Sequence, residues 1–337
     1  MIKLHESNII EYLKTVKAFK NIDCKSVKVR EITENTNVNY VYEVILNSPE
    51  HPKIYLKQAF DYVKIKPDFP APLDRQNYEK KTITYLQTYW KGRIPEIVFY
   101  DNKNNVLGIT DVGKDAKLLA NEIKNGNLHF QIGTDLGKMM AKLHVPTYDE
   151  NSYPVRDKKA NDEHVNFIFD FRLRGSREEA PEQTEKLFQK SMGAKTSMIY
   201  GDWASKNVFV TGNEVRLVDF ENLVRFDPSF DIGYALAHWV LDVSRENIKK
   251  MTKFFEDFEK AYTAEWKDDY KKAFNGILER ASNYIGAMML HRLVGIKNTN
   301  RMGEYLSREV PLIDFAKGIV GTSSPSPATA LKSIKFP

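Results

Sequence analysis

The chain has 337 residues, 42% of them hydrophobic and 28% charged, with a formal net charge of +5. Such a chain can form one large domain or two smaller ones, and its mild charge, mixed along the sequence, fits an anionic small-molecule site without indicating nucleic acid or membrane. The single cysteine, Cys24, excludes an intrachain disulfide and a cysteine-based zinc site, and is expected as a small buried apolar residue.

The first element is a helix capped by Ser7 or Asn8, with Ile9, Ile10, Leu13, Val16 and Phe19 on its apolar face. The segment "MIKLHESNIIEYLK" lacks the apolar core of a signal peptide, no apolar run approaches the ~20 residues of a membrane span, and a cytoplasmic protein is expected. Strands follow at "SVKVREI", "NYVYEVIL" and "KIYLKQAF", the first two joined by the Asn-rich turn "TENTNVN". A helix is predicted from about Asp74 to Tyr89, then strands "EIVFYD" and "VLGITDV" around the turn "NKNN". After Val112 the spacing turns helical, with Leu128, Ile132, Leu136, Met139, Met140 and Leu143 on one face. Residues 146–160 read as a loop and 231–320 as largely helical. The layout is α+β: a sheet-rich N-terminal lobe over 1–112, a larger helical lobe over 113–320, and a flexible Ser/Pro-rich tail over 321–337.

The stretch "IYGDWASKNVFVTGNEVRLVDFEN" places Asp202, Asn207, Asp219 and Glu221 in one short segment that otherwise reads as buried. Its strands "KNVFVT" and "VRLVDF" form a hairpin around Gly212, which brings Asn207 and Asp219 to the same end, with Asp202 in the turn before them. An Asp/Asn turn closing a hairpin is one reading. Phosphoryl transfer with magnesium is the other. Mg²⁺ takes oxygen ligands, which Asn207 and Asp219 supply, with Glu221 two residues along the strand at a second metal position. Asp202 would stay off the metal and accept the proton of the attacking hydroxyl. Upstream, Lys57 is either a solvent-facing strand lysine or a phosphate contact oriented by Glu79 on the next helix. The turn holding Asn37 and Asn39 would then cover the phosphates, without the usual glycines. No GxxxxGK loop and no HExxH occurs.

These residues resemble the kinase-like phosphotransferases that include aminoglycoside phosphotransferases and choline kinases. "GDWASKN", "VDFEN" and "FDIGYALAHW" are similar to that superfamily's catalytic hairpin and following helix. Within it the chain most resembles the methylthioribose kinases, through "NVNYVYEV", "YLKQAFDYVKI", "APLDRQNYEKK" and "GAMMLHRLVGIKN". The resemblance implies a bilobal protein-kinase-like fold and the cofactors ATP and Mg²⁺. It implies adenine contacts by backbone near Asp111 and Val112, a structural role for Asp231, and acceptor binding through Arg292. His291 stands where the family tends to have a second arginine, and Tyr200 replaces the usual histidine before Gly-Asp. Asn207 follows the wider superfamily rather than the methylthioribose kinases.

Only the eleven residues "FENLVRFDPSF" separate Asp219 from Asp231, too few for the activation segment of a protein kinase, so a small-molecule hydroxyl acceptor is expected. Three functions stay open: a sugar kinase of the methylthioribose type, a kinase of a cationic antibiotic or amino alcohol with aromatic faces such as Trp203, Trp239 or Trp266, and a non-catalytic nucleotide-binding relative. Arg172, Arg174 and Arg177 in "FDFRLRGSR" read as surface residues, with an anion-binding arginine as the alternative. No nucleic-acid or membrane partner is expected, and a homodimer is left open.

Overall fold

The computed structural model describes residues 1–20, 26–34, 36–113, 115–243, 247–267, 270–295, 309–322, 324 and 326–332, and leaves the side chains of 170, 271, 272, 309, 310 and 311 undescribed. Cys24 lies outside the described residues. The chain divides into two compact units: Met1–Ala116 with Leu217–Glu221, and Lys117–Arg216 with Asn222–Pro337. The segment carrying Asp219 and Glu221 thus returns to the N-terminal unit, which a single cut after residue 112 does not capture.

The first unit starts with helix α1 (Ile9–Thr15) and strands β1 (Lys28–Ile32), β2 (Tyr40–Ile45) and β3 (Lys53–Gln58). A short hairpin follows, β4 (Tyr62–Val63) and β5 (Lys66–Pro70), then helix α2 (Arg75–Trp90) and strands β6 (Ile97–Asp101) and β7 (Val106–Thr110). The main sheet is antiparallel in the order β1-β2-β3-β7-β6. Alternation sorts β3: Ile54 and Leu56 join Tyr42, Val44 and Val106 in a core with Ile9 and Leu13 of α1. Lys57 therefore projects from the opposite face.

The second unit opens with β8 (Lys117–Leu118), α3 (Leu119–Lys124) and α4 (Phe130–His144), then α5 (Lys158–Arg172), α6 (Arg174–Glu179) and α7 (Pro181–Met192). Strands β9 (Ser197–Ile199), β10 (Val208–Thr211), β11 (Glu214–Leu217) and β12 (Val224–Phe226) lead into α8 (Ser229–Asp242), α9 (Ile248–Ala264) and α10 (Lys271–Leu290). Helix α8 is buried from Ser229 to Leu241, as an apolar helix without a polar face must be. It meets α10 through Gly233, where an added Cβ would fall 2.2 Å from Tyr284 Cβ. Trp239 is enclosed by Phe254, Phe255 and Phe258 and is a core aromatic, while the half-buried Trp266 packs edge-on against Tyr148.

The tail departs from its expected flexibility. Residues Pro327–Lys332 form a helix that buries Ala328, Ala330 and Leu331. It is tied to α9 by the Ala328 amide donating to Glu259 at 3.2 Å and by Lys332 pairing with Glu256 at 3.0 Å. The small apolar residues of "PATALK" form a buried face that the Ser/Pro composition of the tail conceals. Among the described residues no helix is long and apolar enough to cross a membrane.

Candidate active site

In the first unit the predicted residues converge on Lys57, which is buried rather than facing solvent. Its Nζ donates to Glu79 Oε1 at 2.7 Å and to Asp219 Oδ1 at 2.8 Å. Glu79 arrives from the second turn of α2, and its Oε1 also accepts the Phe220 amide at 3.2 Å. That bond fastens the Leu217–Glu221 segment. Burial works against the Lys57 ammonium, but Asp219, Glu79 and Glu221 together hold its pKa above the usual lysine value. We read the pair as ionised, one ammonium answering three carboxylates.

Asp219 adopts φ 70°, a left-handed conformation uncommon for a residue with a Cβ. Asn39 does not project toward a ligand: its Nδ2 donates to Glu221 at 3.2 Å while its Oδ1 accepts from Arg75 at 3.0 Å. It joins Arg75 to Glu221 instead of covering phosphates, because an amide buried between a cation and a carboxylate satisfies both. Burial, then the charge of Asp219, raises the Glu221 pKa to about 7. The Asn37 carbonyl accepts the Ile65 amide at 3.1 Å, and the Val38 carbonyl accepts the Lys64 amide at 3.1 Å. The Asn-rich turn is therefore tied to the β4–β5 hairpin, an element absent from the sequence reading. Asp111 pairs with Lys53 at 2.7 Å, and Val112 is buried.

In the second unit Asp202 lies in the turn after β9. The Tyr234 hydroxyl donates to its Oδ1 at 2.8 Å, Arg172 Nη2 lies 3.5 Å from the same oxygen, and Asn222 Nδ2 lies 3.5 Å from Oδ2. Arg172 also donates to the Gly201 carbonyl and stacks over the Tyr234 ring at 4.3 Å. Gly201, at φ +79°, is required here, since an added Cβ would sit 2.8 Å from the Asn222 carbonyl oxygen. Asn207 Nδ2 donates to the Asp202 carbonyl at 3.2 Å.

Asp231 holds this turn from below. It is fully buried and accepts the Tyr200 amide, the Gly201 amide and Trp203 Nε1, each at 2.8 Å, with His144 Nε2 at 3.2 Å. Tyr200 fills the space beneath the turn, edge-on to Trp203 at 5.5 Å. Trp203 was expected among substrate contacts, but it is fully buried with its one polar atom spent on Asp231, so it belongs to the scaffold. His291 is also buried. Its ring meets Phe171 at 5.2 Å, and its Nδ1 lies beside Gly295, so direct acceptor contact does not fit it. Burial and the charges of Arg172 and Arg292 push its pKa down to about 3.

Arg172 is a correction in the other direction. Read from sequence as a surface residue, it is buried against Asp202. Its helix ends there, and the sequence pattern carries no sign of it. Tyr234, Asn222 and His164 were likewise not selected. The first two reach Asp202. His164 is neutral, with burial and then Arg156 pushing its pKa down to about 3. Among the described residues no group of three or more His, Cys, Asp and Glu side chains is arranged to hold a metal ion alone. Asp219 and Glu221 nevertheless offer carboxylate oxygens two residues apart, a donor type suited to a hard divalent cation.

Residues 122–273 match the profile of the phosphotransferase enzyme family, APH. The methylthioribose kinase of Bacillus pumilus is 22% identical over 307 residues, covering 77% of this chain and 77% of that protein. The choline kinase of Cryptosporidium parvum superposes with a TM-score of 0.56 at 14% identity, over 94% of this chain and 98% of the other. An amicoumacin kinase solved with AMP-PNP, Ca²⁺ and Ami superposes with a TM-score of 0.53 at 14% identity, over 88% and 90% of the two chains. The fold is thus the α+β, protein-kinase-like one, with an N-terminal antiparallel sheet and a mainly helical remainder.

Proposed function

We propose, with residues 122–273 identified as a phosphotransferase enzyme family domain, that the protein transfers the γ-phosphoryl group of ATP to a hydroxyl of a small sugar-like acceptor. The observation that carries this reading is the buried Lys57, paired with both Glu79 and Asp219. A lysine held charged by a helix glutamate and an aspartate is the arrangement that positions nucleotide phosphates. A solvent-facing strand lysine needs neither partner.

Asp202 is the proton acceptor for the attacking hydroxyl. Tyr234 and Arg172 fix its Oδ1, so its Oδ2 is the better placed oxygen to take the proton. The Asp231 clamp keeps the turn in place during the reaction. Asp219, Glu221 and Asn207 would hold Mg²⁺, which when bound neutralises charge on the transferred phosphoryl group. The amide oxygen of Asn207 is open for this, because only its Nδ2 is engaged among the described residues. Lys57 holds the phosphates, and backbone near Asp111 and Val112 receives the base. ATP as the phosphoryl donor supports a cytoplasmic location.

A cationic acceptor is disfavoured by Arg172, Arg292 and Lys206, whose charges act on the helix bearing Tyr234. The relatives named for methylthioribose make 5-methylthioribose and related sugars the first acceptors to test. The experiment is ADP release from Mg-ATP with 5-methylthioribose, ribose, choline, ethanolamine and kanamycin, with Asp202→Ala as control. Turnover by wild type that Asp202→Ala loses supports the reading. Turnover unchanged in Asp202→Ala overturns the assigned base, and no detectable Mg-ATP binding overturns the kinase reading.

A further inference from the structure

Tyr234 and His238 lie one turn apart on the same face of α8. Tyr234 donates to Asp202, and the His238 ring sits 4.5 Å beyond, centroid to centroid. His238 is buried, yet its Nε2 has no hydrogen-bond partner among the described residues. An orphaned buried ring nitrogen is costly, so an unfilled partner position is informative. The fixed charges nearest to it are cationic: Arg292, Arg172 and Lys206. Of the carboxylates on adjoining elements, Asp202 is engaged by Arg172 and Tyr234, and Asp242 accepts the Ser205 hydroxyl. Arg292 itself makes no ion pair among the described residues. A neutral imidazole donor beside unneutralised guanidinium groups matches an oxyanion and repels an ammonium.

We propose that the acceptor carries an anionic group, a carboxylate or a phosphate, bound by Arg292 and His238 Nε2 one helical turn beyond the base. This rests on the kinase reading above and sharpens it from a sugar to a sugar acid or sugar phosphate. A neutral sugar such as 5-methylthioribose then lacks the group that the site is built to receive. Arg292 and His238 are specificity determinants in this scheme, and the proton still goes to Asp202.

The test compares ribose, ribonate, ribose 5-phosphate and 5-methylthioribose on the full chain, by calorimetric binding without nucleotide and by ADP release with Mg-ATP. Ribonate and ribose 5-phosphate, each bound at least about tenfold more tightly than ribose, are expected, and their ratio separates carboxylate from phosphate. Arg292→Gln should remove most of that preference, raising KM for the anion about tenfold or more with little change in kcat. His238→Phe should do the same, and His238→Gln, which keeps a donor, should restore it. Anion binding that both variants lose, without phosphoryl transfer by wild type, would uphold the subsite while the kinase reading falls. Equal or tighter binding of the neutral sugars, or an anion preference untouched by Arg292→Gln in a folded variant, would overturn the proposal.

Discussion

The two units treat their carboxylates in opposite ways. Around Lys57 acids outnumber cations: Glu79, Asp219 and Glu221 share Lys57 and the more distant Arg75. Around Asp202 the balance is reversed, with one aspartate facing Arg172 while Arg292 and Lys206 act on the neighbouring helix α8. The same residue type is thereby set to different tasks. A carboxylate in acidic surroundings gains from a further cation and suits a metal. A carboxylate fixed by a guanidinium and a phenol keeps its direction, which suits a proton acceptor.

Asp202→Ala probes the cation-rich side most strongly. It should lower kcat by roughly 10²–10⁴-fold, the usual worth of a general base, while the Mg-ATP dissociation constant measured by titration stays within about threefold. A variant that lost nucleotide affinity instead would place Asp202 with the acid-rich set. Asp231→Ala comes next. It strips one buried acceptor from three donors and His144, and should cost about 3–5 kcal/mol in denaturant unfolding. A loss below about 1 kcal/mol would mean that the Asp202 turn holds itself.

The neutral histidines extend the contrast to pH. His164 and His291 have folded pKa values of about 3, and that of His238 also lies below the usual value. A histidine depressed in this way favours the folded state fully above about pH 6.5, and the benefit is lost as pH falls from there toward 3. All three should add to acid destabilisation, seen as a falling Tm below pH 6.5. His238→Gln should flatten that slope, and an unchanged slope would show that the cation-rich region does not repel protons. The smallest effect belongs to the acid-rich side. Glu221→Gln removes a carboxylate repelled by Asp219, and should stabilise the metal-free protein by about 1 kcal/mol while weakening Mg²⁺ binding. Destabilisation would reverse the proposed charge balance.

Sequence patterning led to Lys57, Glu79 and the β10–β11 hairpin, because alternation and short-range spacing govern where these side chains go, and the family resemblance led to Asp231. It did not lead to Arg172 or Tyr234. Their contact with Asp202 joins the end of α5, the β9 turn and α8 across long sequence separations, and neither helix pattern encodes it. Trp203 has a related ambiguity: an aromatic residue beside the proposed base reads as core or as a ligand face until its indole N–H is found on Asp231. The β4–β5 hairpin has no buried alternation, since β5 is exposed along its whole length, and periodicity cannot find such a strand. The helix Pro327–Lys332 was masked by the proline and serine around it.

The Asp231 clamp also has a consequence for amide hydrogen exchange. The Tyr200 and Gly201 N–H groups end on a carboxylate sealed among four donors, not on a neighbouring strand. They cannot meet solvent by fraying of a sheet edge, and the start of α8 must separate from the turn first. Their exchange should therefore run at the rate of the slowest core amides of the helical unit. The backbone leading into Asp202 would keep its hydrogens as long as the core does, although it has the form of a loop.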